Sequence, residues 1–192
     1  IPSVIAEAFA IATEGRAGPV LIDIPKDVAA SRVGASHAAT FPAWTPPAPD
    51  AKAIEEARKL IEAARKPLLY VGGGVEMAGA SQTLRDFVAR TGIPAVSTLK
   101  GLGTLPTNHD LALGMLGMHG TRAANIAVQE TDLLIALGAR FDDRATGKLN
   151  DFAPNAKVIH FDIAPPEVNQ WRHAPVAVVG DLQSGMEQVQ PP

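Results

Sequence analysis

Near the amino terminus Val4, Ile5, Ala8, Phe9 and Ala12 recur at the spacing of one helix face. Gly15 and Gly18-Pro19 stop the run, which predicts an amphipathic helix over 3–15. Pro19–Ile24 is a short apolar run closed by Pro25-Lys26-Asp27 and reads as a strand. Apolar periodicity then lapses. Ser31, Gly34, Ser36, Pro42, Pro46, Pro47 and Pro49 crowd residues 31–50. Proline removes backbone donors and favours extended chain, so this stretch reads as a linker. Asp50 offers an N-cap for a helix over 51–65.

From there short apolar runs alternate with helical patterns. Leu68–Val71 reads as a strand that empties into Gly72-Gly73-Gly74, and residues 79–91 read as a helix ended by Gly92. Pro94–Ser97 reads as a strand before Thr98-Leu99-Lys100-Gly101, and Thr121–Gln129 as a helix. Leu133–Leu137, Lys157–Phe161 and Val176–Val179 read as strands, with a short helix over Pro165–Trp171 and a last helix after Gly180-Asp181. Several runs are continuously apolar, as expected for parallel strands covered on both faces. The alternation predicts an α/β fold, a Rossmann-like doubly wound parallel sheet with right-handed crossovers. Ligands of such sheets sit beyond the carboxyl ends of the strands, so the residues that follow each run are the candidates for chemistry.

Composition narrows the classes. The 192 residues are 46% hydrophobic and 19% charged, which suits one well-buried core with an appendage. A net charge of −3 gives no general attraction to nucleic acid. Cysteine is absent, which excludes disulfides and thiolate metal sites, and the five histidines have no metal-ligand spacing. No apolar run is long enough to span a bilayer and no signal-peptide pattern opens the chain, so no membrane partner is expected and the cytoplasm is the expected compartment. Ile1 begins in the middle of a helical pattern, and the chain reads as a piece of a longer polypeptide.

The strand ends carry the candidate chemistry. Gly72-Gly73-Gly74 either brings backbone amides close to a pyrophosphate or makes a tight strand-to-helix turn; Met77 stands where a dinucleotide fingerprint has its third glycine. Gly117-Met118-His119-Gly120-Thr121 enters a helix that Thr121 can cap, with the methionine as core filler or ligand wall. Arg140 follows a strand end and suits a diphosphate, because a guanidinium matches phosphate with two hydrogen bonds. Asp142, Asp143 and Arg144 either join it or form a surface ion-pair cluster. Asp162 and Asp181 suit ribose hydroxyls, or cap the helices that follow. No nucleophile-base triad, P-loop or acid/base carboxylate pair stands out. The residues alone lead to a Rossmann-like domain that binds an extended nucleotide cofactor.

Four words in the chain go further. Gly18-Pro-Val-Leu-Ile-Asp-Ile-Pro-Lys-Asp27, Thr98-Leu-Lys-Gly101, Leu113-Gly-Met-Leu-Gly-Met-His-Gly-Thr121 and Gly138-Ala-Arg-Phe-Asp-Asp-Arg144 resemble the acetohydroxyacid synthase (acetolactate synthase) family of thiamine-diphosphate enzymes. Relatives such as glyoxylate carboligase share that architecture. The resemblance implies residues 1–30 as the tail of a pyrimidine-binding domain, 31–50 as a linker, 51–185 as a central FAD-binding domain and 186–192 as the start of a linker to a diphosphate-binding domain. It implies FAD against Gly72, Gly73, Gly74, Thr98, Leu99, Lys100, Leu116, Gly117, Met118, His119, Gly120, Thr121, Gly138, Ala139, Arg140 and Asp142. The adenosine end would lie by Asp162, Ile163, Glu167, Gly180 and Asp181, and Lys26, Met118, Asp143 and Arg144 would line a substrate channel.

The resemblance further implies thiamine diphosphate and Mg²⁺ in the full enzyme and keto-acid substrates condensed in branched-chain amino-acid synthesis. A homo-oligomer and a regulatory small subunit follow from it as well. The family's catalytic glutamate belongs upstream of Ile1 and its Gly-Asp-Gly motif downstream, so the chain alone is expected to be inactive, with no catalytic or metal-ligating residue of its own. Ser3 stands where relatives often carry an arginine that contacts FAD. The competing readings are the central domain of another thiamine-diphosphate carboligase, such as glyoxylate carboligase, and a cofactor-free structural module.

Overall fold

In the segment after the prolines, the apolar positions of each helix share one face. Ile54, Ala57 and Ile61 of α3 (Ala51–Ala63) are buried, as are Leu84, Phe87 and Val88 of α5 (Ser81–Thr91) and Leu182, Met186 and Val189 of α8 (Leu182–Val189). That spacing lays one stripe of each helix on a sheet and leaves the rest to solvent. The computed structural model describes residues 1–34, 39–41, 43–165, 168–170 and 172–189. The chain divides into two compact units, Ile1–Pro46 and Pro47–Pro192.

The larger unit is built on a six-stranded sheet of β1 (Pro67–Val71), β2 (Ala95–Ser97), β3 (Ala112–Met115), β4 (Leu133–Leu137), β5 (Lys157–Asp162) and β6 (Val176–Val179). All neighbours are parallel and the order is β3-β2-β1-β4-β5-β6, the doubly wound arrangement expected from the alternation. It is also the order of dinucleotide-binding sheets, with its switch point between β1 and β4. Register places Leu69 beside Ile135 and Ile135 beside Ile159. These residues, with Val71, Leu137, Phe161 and Val178, meet α3, α5 and α8. Their alternates Leu68, Tyr70, Leu134, Ala136 and Val158 meet Ala124 and Val128 of α6 (Arg122–Glu130), together with Phe141 and Phe152. Each fully buried Leu or Ile contributes about 1.5–3 kcal/mol over its exposed state, so two covered faces stabilise the sheet strongly.

Local signals act where they were expected. Asp50 accepts from Ala53 N at 3.3 Å and Thr121 Oγ1 from Ala124 N at 3.1 Å, while Gly92 ends α5 at φ +67°. In this unit one strand and two α-helices escaped the pattern: β3, α4 (Gly74–Met77) and α7 (Asp143–Thr146). β3 is a half-buried edge strand whose pairing shifts register between Ala95 and Val96, and Gly114 and Gly117 break up its apolar stretch, so it does not read as a strand. The two short helices are single turns, too brief for a periodicity to show. The last helix runs to Val189.

The smaller unit corrects one expectation. Its helix α1 (Pro2–Thr13) is present, and Phe9 stacks on Phe41 with ring centroids 5.8 Å apart. Pro19–Ile24, however, is not a strand; an irregular stretch leads into α2 (Lys26–Ala29). A strand needs a neighbour for its N–H and C=O groups, and among the described residues this unit has no other strand. Leu21 is accordingly 93% exposed. No helix among the described residues is long and apolar enough to cross a membrane.

Candidate functional site

The carboxyl ends of the six strands are tied into one rim. Leu116 N donates to Ser97 O, Thr98 N to Val71 O, Gly72 N to Leu137 O, Gly138 N to Phe161 O and Gly180 N to Asp162 O, at 2.9–3.1 Å. The residue that leaves each strand except β5 thus hydrogen-bonds to the end of a neighbour, and Gly72–Gly74, Thr98–Lys100, Leu116–Thr121, Gly138–Asp142, Asp162–Ile163 and Gly180–Asp181 come to one edge. Lys26 lies in the smaller unit, at the start of α2, as does Ser3 in α1. Glu167 lies outside the described residues, as do Pro166 and Trp171 of the expected short helix.

At the switch point the glycines answer to each other. A Cβ on Gly72 would stand 2.1 Å from the carbonyl oxygen of Gly138, and one on Gly74 2.6 Å from Gly138 Cα. Gly74 N donates to Gly138 O at 3.0 Å. Two of the three amides offered by Gly72-Gly73-Gly74 are therefore committed to the β4 end. Close loop-to-loop packing is what demands glycine here. Gly73 lies against Lys100, whose Cβ would be 2.9 Å from an added Cβ.

The stretch after β4 is held from beneath. Gly138 O accepts from Gly74 N, Ala139 O is 3.1 Å from Nε2 of His160, and Arg140 O accepts from the Tyr70 hydroxyl at 2.7 Å. Among the described residues the amides of Ala139, Arg140 and Phe141 make no hydrogen bond. Tyr70 is the chain's single tyrosine and is fully buried, edge-on to Phe141 at 5.4 Å. Burial, with a smaller push from Asp142 and a smaller opposing pull from Arg140, drives its hydroxyl far above the ordinary tyrosine range, so it stays a donor. Arg140 itself is exposed.

The neighbouring loop is held differently. Asn125 brackets Gly117, with Oδ1 accepting from Gly117 N at 2.9 Å and Nδ2 donating to Gly117 O at 3.1 Å. Thr121 Oγ1 donates to Leu113 O at 2.7 Å while capping α6. Leu116 is buried, but Met118 is 78% exposed and His119 is exposed. Asp142 caps α7 by accepting from Ala145 N, and Asp143 and Arg144 are exposed. No ion pair joins Asp142, Asp143 or Arg144 among the described residues, so the surface-cluster reading is not what the geometry makes of them. Met118, Asn125, Gln129, Arg144, Thr146 and Phe152 line a cleft of about 280 Å³.

The two rim aspartates both have local partners. Asp162 is buried and its Oδ1 accepts from Ala164 N at 2.9 Å, while Asp181 Oδ2 caps α8 by accepting from Ser184 N at 2.9 Å. Each keeps a second carboxylate oxygen that these bonds do not use. Sequence reasoning missed Tyr70, Asn125 and His160. A histidine inside the apolar run Lys157–Asp162 was the one available signal.

Comparison with known proteins completes the picture. The profile of the family described as "Thiamine pyrophosphate enzyme, central domain" matches residues 54–189. The chain is 54% identical to the acetolactate synthase isozyme 2 large subunit of Escherichia coli (strain K12), over 100% of the chain and 35% of that protein. It is 54% identical to the acetolactate synthase of Mycobacterium bovis over 96% of the chain and 30% of that protein. Against acetolactate synthase 2, chloroplastic, of Nicotiana tabacum it is 44% identical over 97% and 29%. The chain spans about a third of the length of the curated relatives it matches.

Proposed function

Because the chain belongs to the thiamine pyrophosphate enzyme family, through its central domain, we propose that it is the flavin-binding part of an acetolactate synthase. The observation that carries the reading is the loop after β4. Its carbonyls are turned inward, the amides of Ala139, Arg140 and Phe141 are unbonded among the described residues, and Arg140 is exposed. A row of free amides with a guanidinium is a donor set that suits a diphosphate, so the residues present fit FAD. Gly73, Thr98–Lys100 and Leu116–Thr121 would hold the remainder of the flavin nucleotide, and Asp162, Ile163, Glu167, Gly180 and Asp181 its adenosine end. Bound there, the flavin would supply binding surface and order rather than net redox chemistry. Met118, Asp143 and Arg144 would edge a channel for keto acids.

The whole protein would use thiamine diphosphate and Mg²⁺, held by segments outside this chain, to condense pyruvate with pyruvate or 2-oxobutyrate. It would work as a homo-oligomer with a regulatory small subunit. Residues 1–30 would complete a pyrimidine-binding domain, and 51–185 would form the flavin domain. A second reading, a cofactor-free scaffold, draws on the structural work already done by Gly72, Gly74, Asp162 and Asp181 at the rim.

Titration of FAD with the chain, read by quenching of flavin fluorescence, separates the two. Saturable binding is expected, and Arg140→Ala should weaken it about tenfold through loss of a charge-assisted contact. Absence of binding at high micromolar FAD would favour the scaffold.

A further inference from the structure

We infer that Tyr70 and His160, two buried side chains with no part in the flavin site as proposed, are positioning residues that set the loop Gly138–Phe141 for its ligand. The flavin part of this inference rests on the proposed function. Three consecutive carbonyls of that loop are each taken by a donor from a different place: the Gly74 amide, His160 on β5 and Tyr70 on β1. Across a trans peptide the next N–H points opposite to the carbonyl, and the described peptides contain no cis bond. Fastening the carbonyls of Gly138, Ala139 and Arg140 inward therefore turns the amides of Ala139, Arg140 and Phe141 to the other side of the loop. The donor row is a consequence of what grips it from below.

The two side chains bear the marks of that task. A carbonyl can only accept, so the His160 Nε2 that faces Ala139 O carries a proton. Nδ1 is buried and has no hydrogen-bond partner among the described residues. An unpaired buried ring nitrogen is costly, and an apolar side chain at 160 would avoid it. The imidazole gives the fold a bond to Ala139 O that no apolar residue could make. Asp162 Oδ2, 3.7 Å from the same Nε2, favours the proton on that nitrogen. Tyr70 packs against Phe141 and Phe152, so phenylalanine would preserve its packing and remove only the bond to Arg140 O.

The test compares the unmodified 192-residue chain with Tyr70→Phe, His160→Leu and His160→Gln. Two properties are followed: the FAD dissociation constant, and the rate of tryptic cleavage after Arg140 relative to cleavage after Arg65 at the opposite sheet edge. Tyr70→Phe and His160→Leu are expected to weaken FAD about threefold to tenfold, the range set by one hydrogen bond. They should also speed cleavage after Arg140 without changing that after Arg65, with the melting temperature lowered by only a few degrees. His160→Gln, whose amide can donate to Ala139 O, should recover both properties. Unchanged cleavage after Arg140 in both variants would overturn the inference, as would parallel acceleration at Arg140 and Arg65. Should the unmodified chain bind no FAD while the Arg140 rate still responds, the flavin reading falls and the positioning role stands.

Discussion

The two edges of one sheet are built on opposite plans. At the amino edge, side chains are spent on backbone. The Asp132 carboxylate accepts from Arg65 N at 2.8 Å and Lys66 N at 2.9 Å, and Thr131 Oγ1 donates to Lys66 O at 2.8 Å. Lys157 N reaches Asp132 O at 3.0 Å, so the starts of β1, β4 and β5 are stapled together. At the carboxyl edge the fastenings run underneath, and Leu99, Lys100, Met118, His119 and Arg140 are left exposed. The difference teaches where each edge can change. An edge whose polar groups are closed on one another serves stability, whereas an edge held from below keeps its outward groups available for binding.

The largest effect should come where the carboxyl edge is itself structural. Gly72→Ala sets a methyl 2.1 Å from Gly138 O, a backbone atom that cannot swing aside. A loss of about 3 kcal/mol or more is expected in a denaturant melt. A neutral result would show that the two loops can part, and the contrast between edges would lose its central contact.

The next effect belongs to the amino edge. Burial tends to raise the Asp132 carboxyl, but the amides of Arg65 and Lys66 outweigh it and hold the group below the ordinary carboxylate range. A lowered folded value means stability that is present above the unfolded value and lost as the pH falls through the folded one. Asp132→Asn should therefore cost about 1 kcal/mol near neutral pH, discounted for solvent access. The gap to the unmodified chain should close in acid. Melting temperatures across the acidic range would check this, and a gap that persists below the carboxyl titration would contradict the staple.

A smaller effect is expected at the surface-held loop. Asn125→Ala removes both bonds to Gly117 and should cost about 1 kcal/mol or less, since water can replace exposed partners. The local consequence should exceed the global one: exchange of the Gly117 amide, followed by NMR, should rise while the melting temperature barely moves. A large global loss would place this loop with the buried fastenings instead.

Much of the sheet was legible because its signals are local. Continuous apolar runs mark β1, β4 and β6, and the capping roles of Asp50 and Thr121 and the stop at Gly92 operate within a few residues. Apart from Leu116–Thr121, which follow the unmarked β3, the rim residues were also legible as strand ends. What their neighbours do was not. Gly72-Gly73-Gly74 looks the same in sequence whether its amides face a phosphate or another loop, and Asp162 and Asp181 look the same as ribose ligands or caps. The strand expected over Pro19–Ile24 failed for the same reason, since an apolar run becomes a strand only beside a partner.

The sequence by itself determined the alternation of helices and strands, the two-sided burial of the sheet and the edge to which the chemistry-bearing residues come, because these follow from periodicity and short-range hydrogen bonding. Only the tertiary structure decided that Gly72 is closed by Gly138, that Tyr70 grips a carbonyl 70 residues away and that His160 grips its neighbour. Those pairings depend on strand order and register. Both are settled when the two faces of the sheet are covered together, and no window of sequence contains them.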